Sequence, residues 1–585
     1  MLGQIQIVVE LQQTSNGRTF EAAVEYDRRF CLRVASDEST ARRHELGSCH
    51  FERSARNDKQ ENPWVAFCTL RLMWNVWRLL ADRHAIGMAF GVVKTNRNEH
   101  ILILFLCVIA AVRVLIFSAA FPFFSNIDED LHFDLITQYS HDDVPRRFDT
   151  LKEETLNWIV PYASPEFLFT ADQFPGAKFP PPLWKQSGPR VEPEIAATRA
   201  AWSSEINFES SQPPLYYVLA NVWWAIGKHL GLTGLQSLYW IRFLNGFLIG
   251  LVVLLGYLIA RIVAPERVEV RLGVPMLLAL IPQNVFYALN NDVLSPVCFG
   301  GLFLCVMQWL RTDRPSLLLG TLTGLAIAST YLTKLSNLPL IAVALVAIIA
   351  KLRPAPRQKP TPALAAFGVL ILCASIPIGS WIIWTKYQFG DLTGSAAKIT
   401  LLGWTKKPFS DWWQHPIFTL QGLWVFWSDL ISSFWRGEAK WHGQPLSCPV
   451  ADGFYTISSL VLLVAALLGL RREAGLSVFQ REAIGVAVLG FIASVGFLAL
   501  LSIQFDFGSC INPSRAHPYF TSGRLISGAM IPFALFYVYG IAWLFRRINP
   551  ALPLLVLAII LVFIVASEIA VNRVVFTSEH NLFQL

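Results

Sequence analysis

Charge is what this sequence has least of. Only 15 % of its 585 residues are Asp, Glu, Lys or Arg, against about 25 % in soluble globular chains, and the mean hydropathy is +0.45. That balance excludes an ordinary soluble domain. No Walker-type GxxxxGK[ST] and no glycine-rich dinucleotide turn occurs, so ATP-driven transport and nicotinamide chemistry have no footing. The nine cysteines form no CxxC or Cys/His cluster with zinc spacing. Most read as buried apolar thiols, and Cys448 and Cys510, both in expected outer loops, could pair. The first 30 residues lack the basic start and apolar segment of a secretory signal. The net charge of +7 does not suggest nucleic acid: the basic residues fall largely in an N-terminal stretch and in short loops between apolar runs, where they orient a membrane protein.

What the sequence has in quantity is apolar and aromatic residues, with 20 Trp and 41 Phe. From residue 100 on, apolar runs of about 16–24 residues recur, the length a helix needs to cross hydrocarbon. They lie near 100–122, 213–230, 239–262, 272–289, 293–310, 316–333, 336–351, 363–385, 454–470, 483–503, 524–545 and 551–571. The expected fold is therefore an all-α, polytopic transmembrane bundle of about 11–12 membrane helices. Residues 1–95 are charged and carry no such run. Met88 stands before Lys94, Arg97 and the first apolar run, as a natural start would, so 1–87 read as a dispensable extension or a mis-assigned start. The remainder divides into 96–352 and 353–585.

Short connections carry Arg261/Arg267/Arg271, Arg311/Arg314, Lys351/Arg353/Arg357/Lys359, Arg471/Arg472/Arg481 and Arg546/Arg547, which places them in the cytoplasm. The count closes only if one run does not cross. We assign that role to 213–230, which opens on Pro213-Pro214 and holds Tyr216, Tyr217, Trp223 and Trp224, as an interfacial or re-entrant helix. Eleven helices then span, and the long connections 123–212, 386–453 and 504–523 all fall outside.

The first outer connection opens Asn126-Ile127-Asp128-Glu129-Asp130-Leu131-His132-Phe133. On a helix, Asp128 and His132 share a face and can share a ligand or a proton. Clustered carboxylates above a membrane persist if one is partly protonated or if a cation neutralises them. The alternative is a solvated helix start favoured by the macrodipole. His132 alone is more often a hydrogen-bonded side chain than a metal ligand. Further on, Ser210-Ser211-Gln212-Pro213-Pro214-Leu215-Tyr216-Tyr217 reads as a proline-fixed helix start.

Taken in order, these segments resemble the GT-C superfamily of polytopic glycosyltransferases that use polyprenyl-phosphate-linked sugars, which includes protein O-mannosyltransferases and lipid A aminoarabinose transferases. The likeness continues through Arg242 in Trp240-Ile241-Arg242-Phe243-Leu244-Asn245, Asn291-Asp292-Val293-Leu294, Thr333-Lys334-Leu335-Ser336 and Ser522-Gly523-Arg524-Leu525. The motif order is most similar to the DUF2142 type of bacterial membrane protein and spreads thinly over 98–545. The resemblance implies that Asp128 or Glu129 is the catalytic base or orients the acceptor. It makes Arg242, Lys334 and Arg524 candidates to hold the lipid phosphate, against a plain reading as interfacial cations. His132, Gln212, Tyr216 and Asp292 join as substrate-binding candidates, Asp292 equally a turn residue.

The implied partners are a polyprenyl-phosphate-linked sugar, a glycan, lipid or protein acceptor and the lipid bilayer. No cofactor is required, and a divalent cation is compatible but not demanded. The implied setting is a bacterial inner membrane with active loops facing the periplasm. The rivals are a transporter or flippase of a lipid-linked saccharide, which predicts ionisable residues at mid-depth, and a non-catalytic scaffold. Ionisable residues gather instead at helix ends. Trp404, Trp412, Trp413, Trp424, Trp427, Trp435 and Trp441 read chiefly as interface anchors, and Arg515, His517 and Tyr519 as parts of a lid.

Overall fold

A computed structural model describes residues 97–188, 191–352 and 361–584, together with an antiparallel pair of two-residue strands, Val8–Val9 and Val24–Glu25. The chain divides into two units, Gln4–Lys94 and the remainder, and every described helix belongs to the latter. The expected extension 1–87, apart from that strand pair, and the loop cations Lys94, Arg353, Arg357 and Lys359 lie outside the described residues.

Helices run in the order α1 (Arg97–Ala120), α2 (Glu129–Ser140), α3 (Glu153–Tyr162), α4 (Val191–Ser203), α5 (Leu215–His229), α6 (Gly234–Val263), α7 (Val268–Leu280), α8 (Ser295–Arg311) and α9 (Leu317–Thr333). They continue with α10 (Leu338–Leu352), α11 (Thr361–Phe389), α12 (Ser395–Leu401), α13 (Leu420–Arg436), α14 (Pro449–Arg472), α15 (Val478–Gln504), α16 (Met530–Phe545) and α17 (Leu552–Asn572). Among the described residues nine segments are long and apolar enough to cross a membrane. The protein is an integral, multi-pass, all-α membrane protein.

Nine is fewer than the eleven expected, for two local reasons. The run 316–333 forms α9, apolar but only 17 residues long. The run 272–289 breaks after Leu280: Pro282 cannot donate to a helical ladder and pushes Ile281 out of the helical region, where φ is −61° and ψ 123°. A 3₁₀ turn, Asn284–Tyr287, comes next. α5, at 15 residues, is about 22 Å long, short of the ~30 Å of hydrocarbon and in keeping with a segment that does not cross alone.

Burial separates centre from rim. The segment Gly523–Phe545 is 94 % buried along its apolar window and Asn291–Arg311 83 %, whereas Pro362–Phe389 is only 17 % buried and presents Ile371, Leu372, Ile376 and Ile383 outward, as a lipid-facing helix does. α1 packs along α6, and α9 along α11. In the second pair Gly320 and Gly324 lie so close to the α11 backbone that a Cβ would stand 2.1 Å from the Ala366 carbonyl and 2.4 Å from that of Leu370. Small residues one turn apart allow this close approach.

The three long connections pack together at one end of the bundle. Residues 405–406 pair antiparallel with 505–506. Asn126 donates to the Glu438 carbonyl and accepts from the Lys440 N–H at 2.7 Å, and Ser433 donates to the Thr521 carbonyl at 2.6 Å. The expected lid residues are held in this assembly, with Arg515 on Asp506 at 2.8 Å and His517 on Asp429 at 3.1 Å. The tryptophans divide. Trp413 and Trp424 are exposed as anchors would be, but Trp435 is buried in the bundle, stacked on Tyr455 at 4.8 Å and donating to Ser459. Trp441 is buried too, between Phe167 and His442. Cys448 and Cys510 are separate free thiols, so the pairing open to them by position is not formed.

Candidate functional site

The site forms where the ends of α1, the 3₁₀ turns before α8 and α10, and the segment leading into α16 meet. Asp128 caps α2 from the left-handed region, φ 62° and ψ 26°, a conformation Asp tolerates better than most side chains. The turn sends two consecutive carboxylates to different arginines.

Glu129 goes to Arg242. Its two oxygens take Nε at 2.6 Å and Nη2 at 2.5 Å, and both side chains are fully buried. Glu129 also accepts the backbone N–H groups of Ser125 and Leu289, each at 2.8 Å. Arg242 directs its remaining N–H groups at the carbonyls of Ser118, Phe121 and Pro122. All five guanidinium donors are thus engaged by protein acceptors, the bidentate geometry being the strongest form of this pairing.

Asp128 goes to Arg524, at 2.5 Å from Nη2. Here the arginine is less fully engaged. Its Nη1 is 3.4 Å from the Ile127 carbonyl and 3.8 Å from Asp292, and its Nε is 3.7 Å from Glu438. Nε makes no hydrogen bond although Arg524 is buried. Arg524 reaches this position because Gly523 lies against the α13 backbone, where a Cβ would stand 2.0 Å from the Phe434 nitrogen. Asp292 meets Lys334 at 2.7 Å. The turn that carries it is capped by Asn290, whose side-chain oxygen accepts the Asp292 N–H. The Asn-Asn-Asp run is therefore a helix entry as well as a charge.

The other expected residues join through hydrogen bonds. Gln212 donates to Glu209 and accepts from Asn291 at 3.2 Å. His132 lies 2.9 Å from the Tyr217 hydroxyl rather than sharing a proton with Asp128, and Tyr216 is fully buried with its ring edge on Tyr217.

Burial pulls the His132 imidazole down to about 3, so it is neutral at physiological pH. For Asp128 burial works upward, but the Arg524 guanidinium helps to bring the carboxyl below its usual range. Burial, then the Glu205 and Asp128 carboxylates, push Asp130 well above the usual range, and burial followed by Asp128 lifts Glu205 to about 7. The acidic trio thus resolves into two carboxylates matched with arginines and one that keeps its proton more readily. Burial lowers the Lys334 ammonium against the pull of Asp292. Among the described residues no group of three or more His, Cys, Asp and Glu is placed to hold a metal ion.

Several of the residues in this cluster fall inside a family match. The family model described as "Predicted membrane protein (DUF2142)" matches residues 112–508. The chain belongs to this family. The match takes in Asp128, Asp292 and Lys334 and stops short of Arg524. No curated protein matches the chain. Two solved structures of the oligosaccharyltransferase of Archaeoglobus fulgidus are similar to it in part. The apo form is 11 % identical, covering 83 % of this chain and 57 % of that one, with a TM-score of 0.38. The form described as a complex with Zn and sulfate is 12 % identical, covering 63 % and 44 %, with a TM-score of 0.31. The chain therefore spans about half the length of these proteins, and a likeness this slight transfers no residue roles.

Sequence reading passed over several participants. Glu209 pairs with Lys398 of α12 at 2.8 Å, and burial, which would raise its carboxyl, is outweighed by that lysine, leaving it low. Glu438 accepts from Ser522 at 2.7 Å. Inside the spanning segments, Arg113 of α1 and Glu568 of α17 pair at 2.6 Å with Tyr287 donating to the same carboxylate. The expectation that ionisable residues gather only at helix ends is therefore corrected. Each pair is remote in sequence; Arg113 and Glu568 stand out locally as charges inside apolar runs, but nothing local marks the pairings.

Proposed function

We propose that this protein is a GT-C-like glycosyltransferase that moves a sugar from a polyprenyl-phosphate donor to a glycan, lipid or protein acceptor on the non-cytoplasmic face of a bacterial inner membrane. The observation that carries the reading is the unequal engagement of the two buried arginines. Arg242 has no N–H left for a ligand, whereas Arg524 holds an unbonded Nε beside Asp128, Asp292 and Lys334. Buried cations with donors to offer are what a phosphate leaving group requires.

In this reading the acceptor oxygen attacks the anomeric carbon and the bond from that carbon to the phosphate oxygen breaks. The electron pair leaves on the polyprenyl phosphate, received by Arg524 and Lys334. Asp128 accepts a hydrogen bond from the incoming hydroxyl. It takes the proton late, once bond formation has made that oxygen acidic, since a carboxylate held low is a weak base at the outset. Glu129 and Arg242 are positioning residues that fix the start of α2. Gln212 and Tyr216 shape the wall facing Asn291, and His132 acts as a neutral hydrogen-bonding group. These steps do not require a divalent cation, though they are compatible with one.

The test is turnover of the purified protein in nanodiscs with a panel of radiolabelled polyprenyl-phosphate sugars, beside Asp128→Asn and Arg524→Gln. Transfer by the wild type that is lost in both variants supports the reading; no turnover with any donor counts against it. A second reading, transport of a lipid-linked saccharide, draws on the Arg113–Glu568 pair, since ionisable residues inside spanning helices often mark a pathway. It predicts flux across sealed vesicles that Glu568→Gln abolishes.

A further inference from the structure

A cavity of about 390 Å³ opens at the C-terminal end of α2, away from Asp128 at its start, lined in part by Gln138, Arg146, Arg147, Asp149, Lys152 and Ser210. Its size falls within the 300–1,000 Å³ range of small-molecule sites. Apart from Pro145, the residues that line it carry polar or charged side chains. Its charges are unevenly matched. Asp149 serves two cations at once, Arg147 at 2.7 Å and Lys152 at 3.9 Å. Asp143 also lines the cavity, so three cations stand against two carboxylates. Arg146 is exposed and makes no ion pair or hydrogen bond within the described residues.

One lining residue, Ser210, is tied to the charged cluster through neighbouring hydrogen bonds. Ser210 comes directly after Glu209, which bonds Gln212; Gln212 accepts from Asn291, and Asn291 precedes Asp292. Gln138 lies on α2 ten residues beyond Asp128, about 15 Å along a helix that rises 1.5 Å per residue. That separation suits a ligand longer than a single sugar, bound at one end and reacting at the other.

We propose that this cavity binds an anionic saccharide, its carboxylate or phosphate group received by Arg146 with Lys152 and Arg147, and that this saccharide is the acceptor. The role as acceptor rests on the transferase reading; the binding does not. A planar guanidinium offers paired donors to either anion, while Gln138, which donates to Asp134, and Ser210, which donates to the Asn207 carbonyl, keep side-chain oxygens able to accept from sugar hydroxyls.

The experiment measures binding of trigalacturonic acid, glucose 6-phosphate and the neutral maltotriose to the full chain in nanodiscs. At least one of the two anions binds at least fivefold more tightly than maltotriose. Arg146→Glu weakens that binding about fivefold or more, the scale of one exposed charge pair, and Arg146→Gln gives a smaller loss. Lys178→Glu, an exposed cation of the same connection outside the cavity, leaves binding unchanged. Trigalacturonate alone assigns the carboxylate, glucose 6-phosphate alone the phosphate. The inference is overturned if neither anion binds, if maltotriose binds equally, or if Arg146→Glu and Lys178→Glu have the same effect. Asp128→Asn separates this inference from the transferase reading, since it keeps the binding while losing transfer. Anion binding without any transfer would leave the site and remove the reaction; transfer indifferent to Arg146 would do the reverse.

Discussion

Asp128 and Glu129 are adjacent, equally charged and equally buried, and each meets an arginine at 2.5 Å, yet their surroundings differ. Around Glu129 and Arg242 every donor finds an acceptor within 3.2 Å. Around Arg524, beyond Asp128, the next partners of the guanidinium stand at 3.4–3.8 Å, and a second cation, Lys334, is close by on Asp292. A closed pair of this kind holds the end of α1 to α6 and the turn before α8, and it has nothing to offer a substrate. An open one carries unsatisfied donors in low dielectric, a costly arrangement unless something binds there. Charge and burial do not tell the two pairs apart; the count of unengaged donors does, and the proposed function rests on that difference.

The largest effect expected on this comparison is on turnover. Asp128→Asn keeps the shape and lowers transfer about 10²–10⁴-fold, the range of a positioned acid or base. It changes unfolding by only about 1–2 kcal/mol, because Glu438 and Asp292 remain near Arg524. If transfer survives in this variant, the open pair is not the site. Next, Glu129→Gln leaves Arg242 buried without its countercharge and costs about 3–5 kcal/mol, read as a drop in the thermal transition in nanodiscs. A variant as stable as wild type would break the assignment of a closed structural pair.

A third, smaller effect falls on the donor. Lys334→Gln removes one charge-assisted contact, about 1.5–3 kcal/mol, and raises the KM for the donor about ten- to a hundredfold while leaving acceptor KM alone. The reverse pattern would move Lys334 to the acceptor side. The smallest effect is a pH slope. Burial and Asp128 lift Glu205 from 4.5 to about 7. The folded state thus holds its proton more tightly than the unfolded chain does. Stability from this group is complete below about 4.5 and is lost as pH rises through 7. Glu205→Gln should flatten the decline of the thermal transition between those values. An unchanged slope would show that Glu205 does not hold its proton in the folded state as described.

How much was readable in advance varies along the chain. Helices α1, α6, α14, α15 and α17 follow from apolar run length, because a membrane span is a local property of about twenty residues. The start of α5 follows from Pro213-Pro214. The break at Pro282 was signalled by its proline but hidden by the hydropathy on both sides. The expected cluster of Asp128, Gln212, Asp292, Lys334 and Arg524 comes together in space, while the equal weight given to Asp128 and Glu129, and to Arg242 and Arg524, was not separable from residue type alone. Glu209, Lys398 and Glu438 left no sign, and Arg113 and Glu568 showed only as charges inside apolar runs; the pairings themselves were hidden, since an ion pair between residues 86 to 455 positions apart is made by the packing of helices and not by either local sequence.

Composition and periodicity by themselves determined that this is a multi-pass helical membrane protein with long connections between spans, because burying apolar surface and satisfying backbone hydrogen bonds within each helix are decided segment by segment. Only the tertiary structure decided which carboxylate each arginine holds and which arginine keeps a donor free. Those outcomes depend on distances of a few tenths of an ångström among groups drawn from five different parts of the chain.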